Sequence, residues 1–328
     1  MLRKRFNAVP VLLLLLILSC SGTEPVEGPD WVVYNTVNSD LRANTVTALA
    51  VETDGDLWIG YPSGWLSRLS RSGWLHISSR FMKNGISDLV IGRDSLLWMA
   101  GADGAGILDA VTRGVAQLES PLQGRLTCVT EAADGTKWFG GDSGAVRFDG
   151  EIWTVFDRRS GLSSPAVTDI RTDGHGDVWA GSRHYRTETG FTVGAVSRYD
   201  GHEWHVQGPF TGLPGFSVHS LAVDTDGSVW AGFIDAVGHN IDGEWGELTV
   251  SDATAYVRDT VNVIAVDARG VKWFGTPNGL IRYDGTAMMR YTTANSGLGG
   301  NDIRAIVVDS ENTKWIGTST GGLTRLID

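Results

Sequence analysis

The sequence predicts an all-β protein: a seven-bladed β-propeller with four-stranded blades, the last blade closed by the N-terminal strand. Three observations predict it. Tryptophan recurs at Trp58, Trp98, Trp138, Trp179, Trp230, Trp273 and Trp315, with spacings of 40, 40, 41, 51, 43 and 42 residues. Aliphatic residues stand nine positions earlier (Leu49, Leu89, Val129, Ile170, Leu221, Ile264, Ile306) and twelve positions earlier (Val46, Ile86, Leu126, Val167, Val218, Val261, Ile303) in every unit. Glycine follows the tryptophan by two in six of the seven, at Gly60, Gly140, Gly181, Gly232, Gly275 and Gly317. A four-stranded sheet of about 40 residues is apolar on both faces and is stable only when stacked on neighbours, which is the logic of a propeller.

The elements follow in chain order. Leu2-Arg3-Lys4-Arg5-Phe6 is a basic leader segment, and Val11 to Leu18 is an apolar run too short to span a bilayer as a helix. It ends Ile17-Leu18-Ser19-Cys20, which resembles the lipobox of bacterial lipoproteins, with Cys20 as the acylated residue. Residues 1–20 are therefore read as a lipoprotein signal peptide, residues 21–30 as a polar tether and residues 31–328 as the propeller. Ser21 after the cysteine implies outer-membrane sorting in a host with two membranes. The expected address is the cell envelope, periplasmic or outer-membrane, with membrane contact only through the lipid; without acylation of Cys20 the protein is secreted.

Trp31-Val32-Val33-Tyr34 has the fourth-strand pattern of Ile152-Trp153-Thr154-Val155-Phe156, whereas the last unit stops after its third strand at Thr324-Arg325-Leu326-Ile327-Asp328. The N-terminal strand is thus expected to complete the seventh blade, which removes two unpaired edges. Within a unit the strands are marked by turn chemistry. In the fifth, Val218–Val223 is a first strand, Asp224-Thr225-Asp226-Gly227 a turn, Ser228–Gly232 a second strand and Gly238–Ile241 a third, and Asp242-Gly243 turns tightly into the fourth.

With these residues in view, the units resemble two-component regulator propeller repeats, here in a stand-alone lipoprotein form without a kinase. The closest matches to the repeat run from Ser296-Gly297-Leu298 through Trp315-Ile316-Gly317-Thr318 to Gly321-Gly322-Leu323, and from Thr211-Gly212-Leu213-Pro214 through Asp226-Gly227 to Trp230-Ala231-Gly232. The resemblance covers residues 31–328. It implies an extracytoplasmic sensor, and some members of that family recognise glycan fragments.

Composition narrows the partners. Removal of Arg3, Lys4 and Arg5 takes the formal charge from −11 to −14, which repels phosphate backbones and argues against nucleic acid. Cys128 is left without a disulfide partner once Cys20 is lipidated, and is read as a small buried hydrophobe. No His-Glu-x-x-His, Gly-x-Ser-x-Gly or phosphate-loop motif occurs, so neither a metal nor a cofactor is implied. The Asp-Gly pairs at 54–55, 134–135, 149–150, 200–201 and 284–285 are explained by turn chemistry on one face of the ring.

The other face, formed by the second-to-third-strand loops and the connections between blades, is where the repeat breaks down. Nineteen residues separate Trp179 from Arg198, against nine from Trp138 to Arg147, and the surplus contains Arg183, His184, Tyr185, Arg186 and Glu188. Trp65 alone among the 13 tryptophans has no column, standing where the last unit has Gly322. Trp65 is read as a stacking platform for a sugar ring, the alternative being simple packing against the neighbouring blade, with Tyr61, Phe233 and Asp235 as candidate neighbours of the platform. Asn44, Asn84, Asp259 and Asn301 form a column that either hydrogen-bonds at the mouth or makes turns. Third-strand arginines Arg68, Arg147, Arg198, Arg282 and Arg325 recur and are therefore read as structural, spanning to the next blade. The expected function is an extracytoplasmic ligand-binding or sensory propeller lipoprotein recognising glycans or another small ligand. The alternatives are a scaffold taking a protein partner on the loop face, and a hydrolase or lyase acting on a polysaccharide.

Overall fold

The computed structural model describes residues 29–183, 185–186, 192–193, 195–207, 217–248, 257 and 259–328. Seven antiparallel four-stranded sheets form the blades, at 48–78, 86–118, 126–156, 167–207, 220–247, 263–291, and 303–327 with 30–34. First strands line the axis. Each contacts the next, from 48–51 against 86–91 round to 303–308 back against 48–51, so the ring is closed. In blade 5 the strands are Ser220–Val223, Val229–Gly232, Val237–Ile241 and Glu244–Glu247, within two residues of their expected bounds. Asp242 and Gly243 both take positive φ, 53° and 89°, the left-handed pair that a tight hairpin between twisted strands requires. Among the described residues no helix is long and apolar enough to cross a membrane.

Closure occurs as the chain ends predict. Asp30–Tyr34 pairs antiparallel with Leu323–Ile327, setting Trp31 opposite Leu326 and Val33 opposite Thr324. The indole of Trp31 meets the ring of Tyr291 in blade 6 edge-on at 5.3 Å, so the closing strand also grips the neighbouring blade.

Stacking explains why three columns recur together. A Cβ on Gly140, Gly181 or Gly317 would lie 2.5 Å from a methyl of Val167, Val218 or Val46, the aliphatic residue that opens the next blade. Glycine after the tryptophan is thus the socket for the following unit's first apolar side chain. Lysines add a second interlock. Lys137, Lys272 and Lys314 each precede a core tryptophan and reach back to the previous blade, where their ammonium groups lie 4.6, 4.8 and 5.2 Å from the ring centroids of Trp98, Trp230 and Trp273. Each also pairs with a carboxylate there: Lys137 with Asp94 at 3.3 Å, Lys272 with Asp224 at 2.5 Å, Lys314 with Asp267 at 3.1 Å.

The arginine column is structural, but its reach differs from the expectation. Arg68 pairs with Asp56, Arg147 with Asp134 and Arg198 with Asp177, all on the first turn of the same blade, and Arg325 pairs with Asp30 of its own sheet. Only Arg282 also faces the next blade, with Asp328 at 3.7 Å. The reason is register: each arginine lies opposite its own blade's tryptophan, as Trp58 pairs with Arg68 and Trp179 with Arg198, so its head group falls over the adjoining turn.

Candidate functional site

The first strands enclose an axial cavity of about 320 Å³ whose lining includes Thr47, Asp88, Cys128, Asp169, Arg171 and Ser220. Its polar side chains serve the blades themselves. Thr47, Thr127 and Thr168 donate their hydroxyls to the carbonyls of Ile86, Val167 and Val218 in the following blades, at 2.6–2.7 Å. One residue on, Asp88 accepts the amide of Val129 at 3.0 Å, Asp169 that of Leu221 at 2.7 Å and Ser220 that of Ile264 at 2.9 Å. An inner strand would otherwise present unpaired N–H groups at the axis, and these acceptors satisfy them.

Arg171 ties the two carboxylates together, 2.9 Å from Asp169 and 3.8 Å from Asp88. Burial pushes the Asp88 carboxyl up to about 6, against the opposing pull of Arg171 and with help from the charge on Asp169. Burial also raises Asp169. The Cys128 thiol is pushed well above its ordinary range, first by burial and then by the two neighbouring carboxylates, so it stays protonated and unreactive. The axis therefore carries perturbed groups, but each carboxylate is already committed to holding two blades together.

On the second face, blade 1 departs from the other units. Trp65 opens its third strand, half-buried, and its ring is covered by the exposed Arg42, whose guanidinium carbon is 3.9 Å from the ring centroid. Tyr61 is fully buried beneath. Its hydroxyl accepts the Arg42 amide at 3.4 Å and donates to Ser67 Oγ at 2.8 Å, and Ser67 in turn meets His76 Nδ1 at 2.8 Å. Burial raises the Tyr61 phenol above its usual range, with the Ser67 hydrogen bond opposing. Tyr61 thus positions the Arg42 segment and presents no surface of its own.

The remaining candidates are dispersed. Phe233 is fully buried in the core of blade 5, a packing residue without ligand-accessible surface. Asp235 is exposed at the loop that follows, with φ 62° and its amide donating to the Asp259 carbonyl at 3.2 Å. Arg183 is exposed and its amide donates to Ala166. Beyond it the surplus residues form a small added hairpin, Tyr185–Arg186 paired with Thr192–Val193; His184 and Glu188 lie outside the described residues, as do Cys20 and the signal segment. Blades 2 and 3 separate Trp65 on blade 1 from this hairpin on blade 4, so the two departures occupy different parts of one face. The asparagine column braces the blade connections, Asn44 accepting the Thr36 amide and Asn301 the Thr293 amide, both at 2.9 Å.

Arg42 is not singled out in the sequence because the residue type at its place in the blade connection does not repeat, being Ser163 in blade 4 and Gly299 in blade 7. Carboxylates six residues before tryptophan are a further set not singled out there. They hold the indole N–H in the core: Asp173 for Trp179 at 2.8 Å, Asp309 for Trp315 at 3.0 Å and Asp267 for Trp273 at 3.2 Å.

No family model matches the chain, and no curated protein matches its sequence. Solved structures do. The extracellular domain of a protein assigned to a hybrid two-component system of B. thetaiotaomicron aligns with a TM-score of 0.73 at 22% identity, over 91% of this chain and 39% of that one. Virginiamycin B lyase from Staphylococcus aureus aligns with a TM-score of 0.73 at 15% identity, over 92% and 100% of the two chains. PorZ, a bacterial surface component of the type-IX secretion system of Porphyromonas gingivalis, gives a TM-score of 0.72 at 15% identity, over 90% and 47%. The chain thus spans about two-fifths of the two-component relative and half of PorZ. At these identities the likeness is one of fold.

Proposed function

We propose that this chain is an extracytoplasmic recognition propeller, held at the cell envelope through Cys20, that binds a glycan or similar small ligand on its second face. The observation that carries the reading is the contrast between the faces. First-face Asp-Gly turns repeat with their side chains spent on their own amides, as Asp134 accepts from Thr136 and Asp284 from Thr286 and Ala287. The second face is rebuilt in two places, with an aromatic–cation pair on blade 1 and an added hairpin on blade 4, and loops carried on a rigid scaffold are where binding residues collect. The same fold in the extracellular domain of a two-component system protein supports the address and a recognition role by analogy of fold. A lyase shares the fold, but the axial carboxylates that stand nearest to acid–base chemistry are engaged with Val129 and Leu221, which places hydrolase and lyase readings behind recognition.

Two experiments test this. Metabolic labelling with a radioactive fatty acid marks the wild-type protein and not Cys20→Ala; label in neither removes the anchor. A glycan array with wild type beside Trp65→Ala shows binding that the variant loses; equal signal takes Trp65 out of the site, and a pulled-down stoichiometric protein partner with a silent array supports the scaffold instead.

A further inference from the structure

We infer that Arg42 and Trp65 form a subsite for an acidic sugar, a uronate or a sulfated saccharide; this rests on the second-face reading just given. The first ground is a change in how the blade connection is fastened. In blade 4 the amide of Ser163 donates directly to Ser197 Oγ at 3.2 Å, and in blade 7 that of Gly299 donates to Thr324 Oγ1 at 3.1 Å. Ser67 is the counterpart of these hydroxyls, paired with Ile59 as Ser197 pairs with Ala180 and Thr324 with Ile316. In blade 1 the buried Tyr61 hydroxyl is interposed, so the Arg42 amide reaches Ser67 through two hydrogen bonds instead of one. The fastening is lengthened, and at that point the connection carries a long cationic side chain.

The second ground is what occupies the same place elsewhere. In blade 7 the counterparts of Arg42 and Trp65 are Gly299 and Gly322. A Cβ on Gly299 would meet the Gly321 carbonyl at 2.9 Å, and one on Gly322 the Tyr34 carbonyl at 2.2 Å. Blade 7 is sealed there by backbone against backbone, whereas blade 1 puts the exposed Arg42 guanidinium over an indole.

The third ground is charge. Arg42 is exposed in an acidic protein, yet no carboxylate among the described residues lies within 4.0 Å of it, and its guanidinium donates to no acceptor among them. The guanidinium carbon lies over the Trp65 ring, 3.9 Å from its centroid, which anchors the cationic head at this point of the face. Its forked N–H donors suit the paired oxygens of a carboxylate or sulfate. Trp65 beside it, half-buried, supplies an aromatic neighbour of the kind that takes the C–H face of a sugar ring. A neutral saccharide uses the second feature alone; an acidic one uses both.

The test pairs acidic oligosaccharides with neutral counterparts of the same shape, such as trigalacturonate with its methyl ester, and measures binding by calorimetry to the full chain. We expect the acid to bind at least tenfold more tightly at low salt, with the preference shrinking as sodium chloride is raised. Arg42→Ala abolishes the preference, so that acid and ester bind alike, and Arg42→Lys restores only part of it. Tyr61→Phe, which removes the interposed hydroxyl, weakens the acid selectively. Equal binding of acid and ester, or a preference that survives Arg42→Ala, overturns the acidic-sugar assignment and leaves the glycan reading standing. Silence of wild type towards both ligands and across an array of uronate, sulfated and neutral glycans overturns the two together.

Discussion

Lys314 Nζ lies 3.1 Å from Asp267 Oδ2 across the junction of blades 7 and 6, with neither side chain exposed to solvent. The pair is completed by Trp273, whose indole N–H donates to the same carboxylate oxygen and whose ring lies under the ammonium. Asp328, following the last strand, accepts from Lys314 and from Arg269. Removing one member of a buried pair strands the other, at a cost of about 3–5 kcal/mol. Lys314→Ala is therefore expected to lower the urea-unfolding free energy by about that much. The double variant Lys314→Met with Asp267→Leu should lose far less, because no charge is left uncompensated. Equal losses from the single and the double variant would show that packing, not charge, sets the cost.

Two of the perturbed aspartates, Asp267 and Asp88, make stability depend on pH in opposite senses. Burial alone would raise Asp267, but hydrogen bonds from Trp273, Lys314 and the amides of Val271 and Arg269 outweigh it and hold the carboxyl at about 2. A depressed folded-state value stabilises above the unfolded value near 3.9 and loses that contribution as pH falls from about 4 to 2. Asp88 is raised, mainly by burial, to about 6. Its contribution is fully present below the unfolded value and is lost as pH rises through about 6. Urea midpoints between pH 4 and 7 should fall with rising pH in wild type and fall less in Asp88→Asn. An unchanged slope in that variant would assign the titration to another group.

Much of this architecture was legible because a propeller repeats its contacts from blade to blade. The glycine socket and the aliphatic plug, such as Gly181 and Val218, stand out as columns, and so does the out-of-phase end that puts Trp31 opposite Leu326. The candidate site was legible only as a departure from the pattern. Trp65 could be singled out, but which neighbour covers it could not, since Arg42 lies 23 positions away at a place where the residue type varies from blade to blade, Ser163 and Gly299 standing there in blades 4 and 7. Tyr61 and Phe233 were drawn to the surface by their place after a second strand. Alternation there points both inward, and polarity alone does not reveal that a tyrosine hydroxyl has a buried partner. The lysine interlocks were visible in the sequence at Lys137, Lys272 and Lys314, but the neighbouring tryptophan drew the reading.

The socket between blades is tight enough to test directly. Gly181 has an ordinary backbone conformation, so its need is space alone: an added Cβ would sit 2.5 Å from Val218 Cγ1. Overpacking of this kind costs about 1–3 kcal/mol. Gly181→Ala should fall in that range by urea unfolding, and adding Val218→Ala should recover part of it despite removing buried methyls. Strict additivity of the two losses would mean that the residues do not meet.

The closing strand makes the strongest demand on the fold. Removing residues 30–35 would uncover Leu323 and Leu326, both fully buried in blade 7, and would withdraw Trp31 from Tyr291. At about 1.5–3 kcal/mol for each fully buried aliphatic side chain, the two leucines alone account for roughly 3–6 kcal/mol. The third strand of blade 7 would also become an open edge that can pair with another copy. The truncated chain is therefore expected to unfold at a markedly lower urea concentration and to associate on concentration, as followed by light scattering. A synthetic peptide of residues 30–35 added in trans should restore part of the midpoint. A scrambled peptide of the same composition should not, because restoration requires Trp31 and Val33 to fall opposite Leu326 and Thr324. A truncated chain with the wild-type midpoint and a monomeric mass would mean that the ring holds without its clasp.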